Sequence, residues 1–216
     1  MKKFIKYILP SLVAVVMLMS GCDGTRETAN LEKAEDVKAY LIEGNEMYVQ
    51  SGKNTADISA DRRSDTAKNG QHPYAVIVTC SDSRVPPEHI FSAGVGDLFV
   101  IRTAGNVIGE YELGSVEYGA EHLGSPLVVV LGHTGCGAVA AALEGGAHGN
   151  IKSITDEINS CLTDGCSASE AERLNVQNSI DNIMDSEIMK ELTEEGKVSV
   201  VGAIYDIESG EVSFIE

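Results

Sequence analysis

Basic residues are scarce in this 216-residue chain. There are 16 lysines and arginines against 33 aspartates and glutamates, giving a formal charge of −17. Nucleic acids and anionic membrane surfaces are bound through basic patches, so the acid excess argues against both as partners. Tryptophan is absent, and so is the G-x-S-x-G elbow of serine hydrolases. The length corresponds to a single domain with a core of its own.

A hydrophobic run long enough to span a membrane is also lacking near the start of the chain. The apolar stretch Ile8–Met19 is too short for a spanning helix. It follows three lysines and precedes small residues, which is the pattern of a signal peptide over residues 1–21. Cys22 then resembles the lipidated cysteine of bacterial lipoproteins, the alternative being an ordinary signal peptide with an incidental cysteine.

We therefore expect an exported protein, lipid-anchored at Cys22 to the outer face of a bacterial cell membrane or in the periplasm. Residues 22–29 would form the tether, and the lipid would be its one attachment to a membrane. The mature chain would carry 13 basic and 33 acidic residues, a charge of −20.

The remaining residues, 30–216, have the pattern of a single α/β domain. Four short apolar runs are continuous rather than alternating, which indicates strands buried on both faces of a mostly parallel sheet. The predicted strands are Tyr74–Cys80, Asp97–Ile101, Leu127–Leu131 and Val198–Tyr205, with an edge strand at Glu211–Ile215.

Apolar residues three or four apart predict helices on the flanks of this sheet. The predicted helices are Asn30–Gly52, with Asn30 as its cap, Glu110–Leu123, Ala138–Glu144, 151–162 and Ala168–Glu195. Lys53–Pro73 has no apolar period and is predicted to be a loop or a connection that wraps around the domain.

Two polar segments follow predicted strands, Cys80–Arg84 after the first and His133–Gly137 after the third. Ligands of open parallel sheets bind at the carboxyl ends of strands. Two thiolates and an imidazole suit zinc, and three protein ligands leave a fourth position open, as in catalytic sites. A disulfide between Cys80 and Cys136, or two buried spectator thiols, is the alternative.

Two further cysteines, Cys161 and Cys166, flank a short turn-like segment. In an exported protein they could form a local disulfide, and two separate thiols are the alternative.

Four segments of the sequence carry a recognisable pattern. They are Cys80–Glu88, Gly96–Arg102, Ala104–Asn106 and Gly132–Ala138. Together they resemble the β-class carbonic anhydrases. Their order and ligand spacing agree with that family, and the resemblance covers roughly the whole mature domain. It implies the fold of that family and one zinc ion per subunit, bound by Cys80, His133 and Cys136.

The resemblance also implies a reaction, the reversible hydration of CO2 to bicarbonate and a proton by attack of a zinc-bound hydroxide. Asp82 would orient the hydroxide, Arg84 would hold Asp82, and the backbone N–H of Gly137 would stabilise the developing oxyanion. In some members the aspartate moves onto zinc as a fourth ligand. Regulated members use a tryptophan in a separate bicarbonate site, so no such site is expected here.

Two other functions stay open from the sequence alone. Related enzymes hydrolyse carbon disulfide or carbonyl sulfide with the same zinc set, and a non-catalytic metal-binding lipoprotein is the second alternative. Family members form dimers through the sheet and an N-terminal helix, often doubled again. The resemblance therefore implies a homodimer or a higher homo-oligomer.

Overall fold

The computed structural model describes residues 31–215, and the predicted signal peptide, Cys22 and the tether lie outside the described residues. Five strands form one sheet in the order β2-β1-β3-β4-β5. The strands are β1 (Ala75–Cys80), β2 (Leu98–Thr103), β3 (Leu127–His133), β4 (Ser199–Tyr205) and β5 (Val212–Phe214). The first four are parallel and β5 is an antiparallel edge strand, which confirms the predicted sheet.

Helices cover both faces of the sheet. They are α1 (Ala34–Ser51), α2 (Ala60–Asn69), α3 (Pro87–Ile90), α4 (Glu110–Glu117), α5 (Gly137–Glu144), α6 (Asn150–Asn159), α7 (Ala168–Met184) and α8 (Glu187–Glu194). A turn of π-helix, Tyr118–His122, continues α4 to the end of the predicted helix. None of the helices between residues 31 and 215 is long and apolar enough to cross a bilayer.

The predicted loop Lys53–Pro73 is wrong, because α2 lies within it. This helix has no buried residue, so it lacks the apolar stripe by which a helix is recognised in a sequence. Its start is capped by Ser59, whose hydroxyl accepts a hydrogen bond from the N–H of Arg62. The Arg62 guanidinium then lies 3.0 Å from Asp97 and attaches the helix to the sheet.

Two helix boundaries also differ from the sequence prediction. The first helix begins at Ala34 with Lys33 at its N-cap, where the sequence predicted Asn30 as the cap. The predicted helix over residues 168–195 is two helices, because Ser186 takes an extended conformation and caps α8 by accepting from the N–H of Met189. The Ser186 hydroxyl donates to Glu117 at 2.6 Å, which anchors the break.

The sheet separates two apolar layers. On one face, Val37 and Leu41 of α1 pack in a cluster with Ile77 of β1. On the other face, Val176 of α7 packs in a cluster with Val76. Successive residues of β1 thus point to opposite faces, and both are covered, which is why the strand is apolar throughout.

The described chain begins at the amino ends of the strands. Leu31 and Glu32 line a cavity of about 480 Å³ together with Pro73 and Pro126, which lie just before β1 and β3. The two polar segments predicted to carry the chemistry follow the opposite, carboxyl ends of the same strands.

Candidate active site

Three side chains that could bind a metal converge where β1 and β3 end. One ligand atom each of Cys80, His133 and Cys136 lies within 4.8 Å of the other two, and all three residues are buried. Cys80 ends β1 and His133 ends β3, and the two strands pair directly. Both cysteines are free thiols, so the structure does not contain the alternative disulfide between them.

The imidazole of His133 is oriented as a metal ligand requires. Its Nδ1 lies 3.0 Å from the carbonyl oxygen of Thr134 and donates a hydrogen bond to it. This bond fixes the tautomer and leaves a lone pair on Nε2. Nε2 is buried and has no hydrogen-bond partner among the described residues. An unsatisfied nitrogen beside two thiols fits zinc, which is bound by nitrogen and sulfur ligands.

Hydrogen bonds also prepare Cys80 to bind a metal as a thiolate. The hydrogen bond between the Cys136 and Cys80 thiol groups lowers the pKa of Cys80. Hydrogen bonds from the N–H groups of Gly105 and Asp82 lower this pKa further. These N–H groups lie 3.2 and 3.4 Å from the Cys80 sulfur. The same bond to Cys80, with burial, raises the pKa of Cys136. Zinc binds cysteine as the thiolate, so loading a metal at this pair would release protons from it.

Asp82 lies beside this cluster and is paired with Arg84. The guanidinium Nε lies 2.9 Å from Oδ1 and Nη2 lies 2.7 Å from Oδ2, and the Arg84 backbone N–H also donates to Oδ1. The hydrogen bonds from Arg84 hold the pKa of Asp82 well below its usual range. The carboxylate is thus fixed on Arg84 and is not one of the three clustered ligands.

The fourth predicted group, the N–H of Gly137, lies at the start of a helix. Gly137 is the first residue of α5 and Cys136 is its N-cap. N–H groups in the first turn have no partner within the helix. The space beside Gly137 is open, because a Cβ there would meet no atom within 4 Å.

Sequence reasoning assigned no role to Arg102, which supports the site from β2. Its Nε donates to the carbonyl oxygen of Cys80 at 3.0 Å, and its Nη2 donates to that of Asp82 at 2.7 Å. This role depends on the parallel pairing of β1 and β2, in which Thr79 lies opposite Arg102.

The second cysteine pair is not bonded. Cys161 and Cys166 are free thiols in the structure, which corresponds to the second of the two alternatives that the sequence left open. The Cys161 thiol lies just after α6 and donates a hydrogen bond to the carbonyl oxygen of Ile158 at 3.1 Å.

Comparison with known proteins identifies the family of this chain. A family model described as carbonic anhydrase matches residues 75–212. The chain belongs to the carbonic anhydrase family. This carbonic anhydrase is 39% identical over 181 residues to carbonic anhydrase 2 of Mycobacterium tuberculosis, covering 79% of this chain and 87% of the relative. It is 43% identical over 113 residues to the carbonic anhydrase of Mycolicibacterium smegmatis, covering 52% of this chain and 54% of the relative.

Similar solved structures place the carbonic anhydrase in the β class. The β-carbonic anhydrase CafA of Aspergillus fumigatus superposes with a TM-score of 0.65 at 28% identity, covering 84% of this chain and 90% of that one. The Coccomyxa β-carbonic anhydrase, solved with acetazolamide, has a TM-score of 0.63 at 25% identity and covers 87% of both chains. The non-catalytic alternative is therefore set aside.

Proposed function

We propose that this carbonic anhydrase catalyses the reversible hydration of CO2 to bicarbonate and a proton with one zinc ion per subunit. The observation that carries the proposal is the convergence of Cys80, His133 and Cys136 beside the paired Asp82 and Arg84. A site that only stored metal would need the three ligands but not the oriented carboxylate.

The three buried ligands would hold the ion, and their soft donor set and number leave one position for water. When bound, zinc supplies the Lewis acidity that brings the pKa of a coordinated water close to neutrality. His133 would bind the ion through Nε2, because its Nδ1 donates a hydrogen bond to the Thr134 carbonyl oxygen.

The polar groups around the ligands orient the reactants. Asp82 accepts a hydrogen bond from the attacking water. This bond orients the water so that a lone pair on the water oxygen points toward the carbon of CO2. Arg84 keeps the carboxylate ionised, so it acts as an acceptor. The N–H of Gly137 donates to the oxygen on which negative charge develops. The released proton passes to buffer.

Metal analysis and a CO2 hydration assay on the purified mature domain test this proposal together. We expect one zinc per chain and hydration activity that is lost on chelation and restored by zinc. Carbon disulfide and carbonyl sulfide, assayed in parallel, should be turned over far more slowly than CO2. Stoichiometric zinc with faster turnover of either sulfur compound would assign the same site to the alternative reaction.

We also propose that the protein is exported and lipid-anchored at Cys22. The support is the sequence alone, in which three lysines, the apolar run Ile8–Met19 and small residues precede the cysteine. Growth with a radiolabelled fatty acid should label the protein, and Cys22→Ser should abolish the label. An unlabelled wild-type protein would contradict the anchor.

Assembly into a homo-oligomer is a further part of the proposal. Ile42 and Val49 of α1 are 40% and 39% exposed, and they line a cavity with Val212 of the edge strand. One similar structure, at 23% identity and a TM-score of 0.63, is described as tetrameric. Sedimentation equilibrium should give a mass of two or more chains, and a monomer at micromolar concentration would contradict this part.

A further inference from the structure

A stripe of polar side chains is buried on one face of α7. Glu172, Asn175 and Ser179 are 7%, 1% and 1% exposed, and their spacing of three and four residues places them on one side of the helix. Ala171 and Val176 of the same helix are buried in the apolar core. Burying a polar group costs free energy unless it is hydrogen-bonded. The partners of the stripe therefore show what it does.

Glu172 contacts the backbone of one sulfur ligand. Its Oε1 accepts a hydrogen bond from the N–H of Cys136 at 3.2 Å. Cys136 is the N-cap of α5, so this N–H has no partner inside that helix. Between residues 31 and 215, no salt bridge involves Glu172. The buried carboxylate thus holds the ligand loop without a basic partner of its own.

Asn175 and Ser179 hold the other sulfur ligand through the 3-10 turn that follows β2. Asn175 Nδ2 donates to the carbonyl oxygen of Gly105 at 2.6 Å, and the Ser179 hydroxyl donates to that of Asn106 at 2.9 Å. The N–H of Gly105 in turn donates to the sulfur of Cys80 at 3.2 Å. The stripe therefore fixes a hydrogen-bond donor that is aimed at the second thiolate.

Close packing places the stripe at the metal ligands. A Cβ on Gly132 would lie 2.5 Å from Cγ2 of Val176, and one on Gly202 would lie 2.9 Å from Cγ1 of the same side chain. Only glycines allow α7 to approach β3 and β4 this closely. Because Gly132 immediately precedes His133, the helix meets the sheet directly beside the site.

We propose that the polar stripe of α7 is a positioning element for both sulfur ligands and sets how tightly the site holds zinc. The inference rests on the zinc site proposed above. Hydrogen-bond partners behind metal ligands orient those ligands and tune their donor strength, and their loss costs about 10- to 100-fold in metal affinity. One helix bonded to the loops of both cysteines couples the two ligands in a single rigid unit.

Zinc affinity of the full-length variants tests the stripe, measured by competition with a chromophoric chelator. Glu172→Leu and Asn175→Leu introduce an apolar side chain of similar size and so remove the acceptor or the donor. We expect each to bind zinc about 10- to 100-fold more weakly. Glu172→Gln retains an acceptor oxygen for the Cys136 N–H and should bind zinc with nearly wild-type affinity.

A spectroscopic readout separates positioning from general stability. With cobalt in place of zinc, the sulfur-to-cobalt charge-transfer band reports the electron density on the thiolates. This band should shift in the two leucine variants and stay unchanged in Glu172→Gln. Asn178→Leu is the matched control, because Asn178 lies on the same helix and donates to Glu157 at 2.9 Å, away from the ligand loops. It should lower the melting temperature but leave the zinc affinity and the cobalt band unchanged.

The outcomes distinguish the inference from the function on which it rests. Wild-type affinity and an unshifted band in Glu172→Leu and Asn175→Leu would overturn the positioning role, as would an equal loss of affinity in Asn178→Leu. If a leucine variant does not fold, Asn175→Asp removes the donor with the shape preserved, and its zinc affinity decides the same question. A wild-type protein that binds no zinc would instead overturn the proposed function.

Discussion

Arg84 contacts both carboxylate oxygens of Asp82, with Nε 2.9 Å from Oδ1 and Nη2 2.7 Å from Oδ2. This two-point contact fixes the plane of the carboxylate as well as its position. The guanidinium also lies 3.3 Å from the carbonyl oxygen of Gly135, so one arginine joins the loop after β1 to the loop after β3.

Replacing Asp82 should therefore reduce catalysis without removing the metal. In Asp82→Asn, an NH2 group replaces one carboxylate oxygen, so the side chain can no longer accept hydrogen bonds at both positions. The kcat/KM for CO2 hydration should fall by about 10². Zinc content should stay at one per chain. Asp156→Asn is the matched control, because Asp156 is an exposed carboxylate paired with Lys152 on α6. Undiminished hydration by a zinc-loaded Asp82→Asn protein would remove Asp82 from the mechanism.

Arg84→Lys tests the two-point contact itself. Lysine keeps the positive charge but cannot make two parallel hydrogen bonds to a carboxylate. We expect a smaller loss of kcat/KM than in Asp82→Asn, with KM little changed. Stopped-flow hydration assays on both variants give the comparison. An Arg84→Lys enzyme as fast as the wild type would show that charge alone is sufficient.

Cysteine substitutions should separate the metal ligands from the other thiols. Cys136→Ser should lose stoichiometric zinc and CO2 hydration, because it removes one of three ligands. Cys166→Ser, in a half-buried free thiol outside the cluster, should retain both. Metal analysis by plasma mass spectrometry checks the two proteins side by side. Equal zinc content in both would place the metal elsewhere.

The pKa of Asp82 gives a prediction for the pH profile. Because the folded-state pKa is depressed, the stabilisation from the pair is present above the unfolded-state pKa of about 3.9 and is lost as the pH falls through the folded value. Across about pH 5 to 8 the carboxylate is therefore ionised, and we expect it to stay paired with Arg84. The rate of CO2 hydration should then follow a single titration, whereas a steep, cooperative loss below neutrality would show that Asp82 leaves Arg84 for the metal.

A methyl group at Gly105 should disturb the donor to Cys80. Gly105 has φ of +71°, and its Cβ would lie 3.0 Å from both the Ala138 Cβ and the Ile158 Cδ1. Gly165 has a similar φ of +76° with no atom within 4 Å. Gly165→Ala should lower the free energy of unfolding by about 1–2 kcal/mol, and Gly105→Ala should lower it further and weaken zinc binding. Urea denaturation of both variants isolates the crowding, and equal losses would contradict it.

The strands could be predicted because the sheet is covered on both faces. Residues such as Ile77 and Val129 are fully buried, and this burial leaves a continuous apolar run in the sequence. Helix α2 could not be predicted, because every one of its residues stays at least partly accessible to solvent. Its position depends on Arg62 and Asp97, which are 35 residues apart.

The cluster of Cys80, His133 and Cys136 could be predicted because the three residues lie at or just after the carboxyl ends of two strands. The groups behind the ligands could not. Glu172 and Asn175 are ordinary polar residues in a helical sequence, and their partners lie 36 and 70 residues away. Only the packing of α7 against the sheet turns them toward the cysteine loops.

Leu31 lies near the amino ends of β1 and β3, and this position has a consequence for where an N-terminal anchor would lie. Cys22 is followed by eight residues before Leu31, and such a segment reaches at most about 30 Å when extended. If Cys22 carries the lipid, this short tether keeps the amino ends of β1 and β3 within about that distance of the bilayer. The carboxyl ends, with Cys80 and His133, lie at the opposite edge of the sheet, so the candidate site would be on the side of the domain away from the anchor.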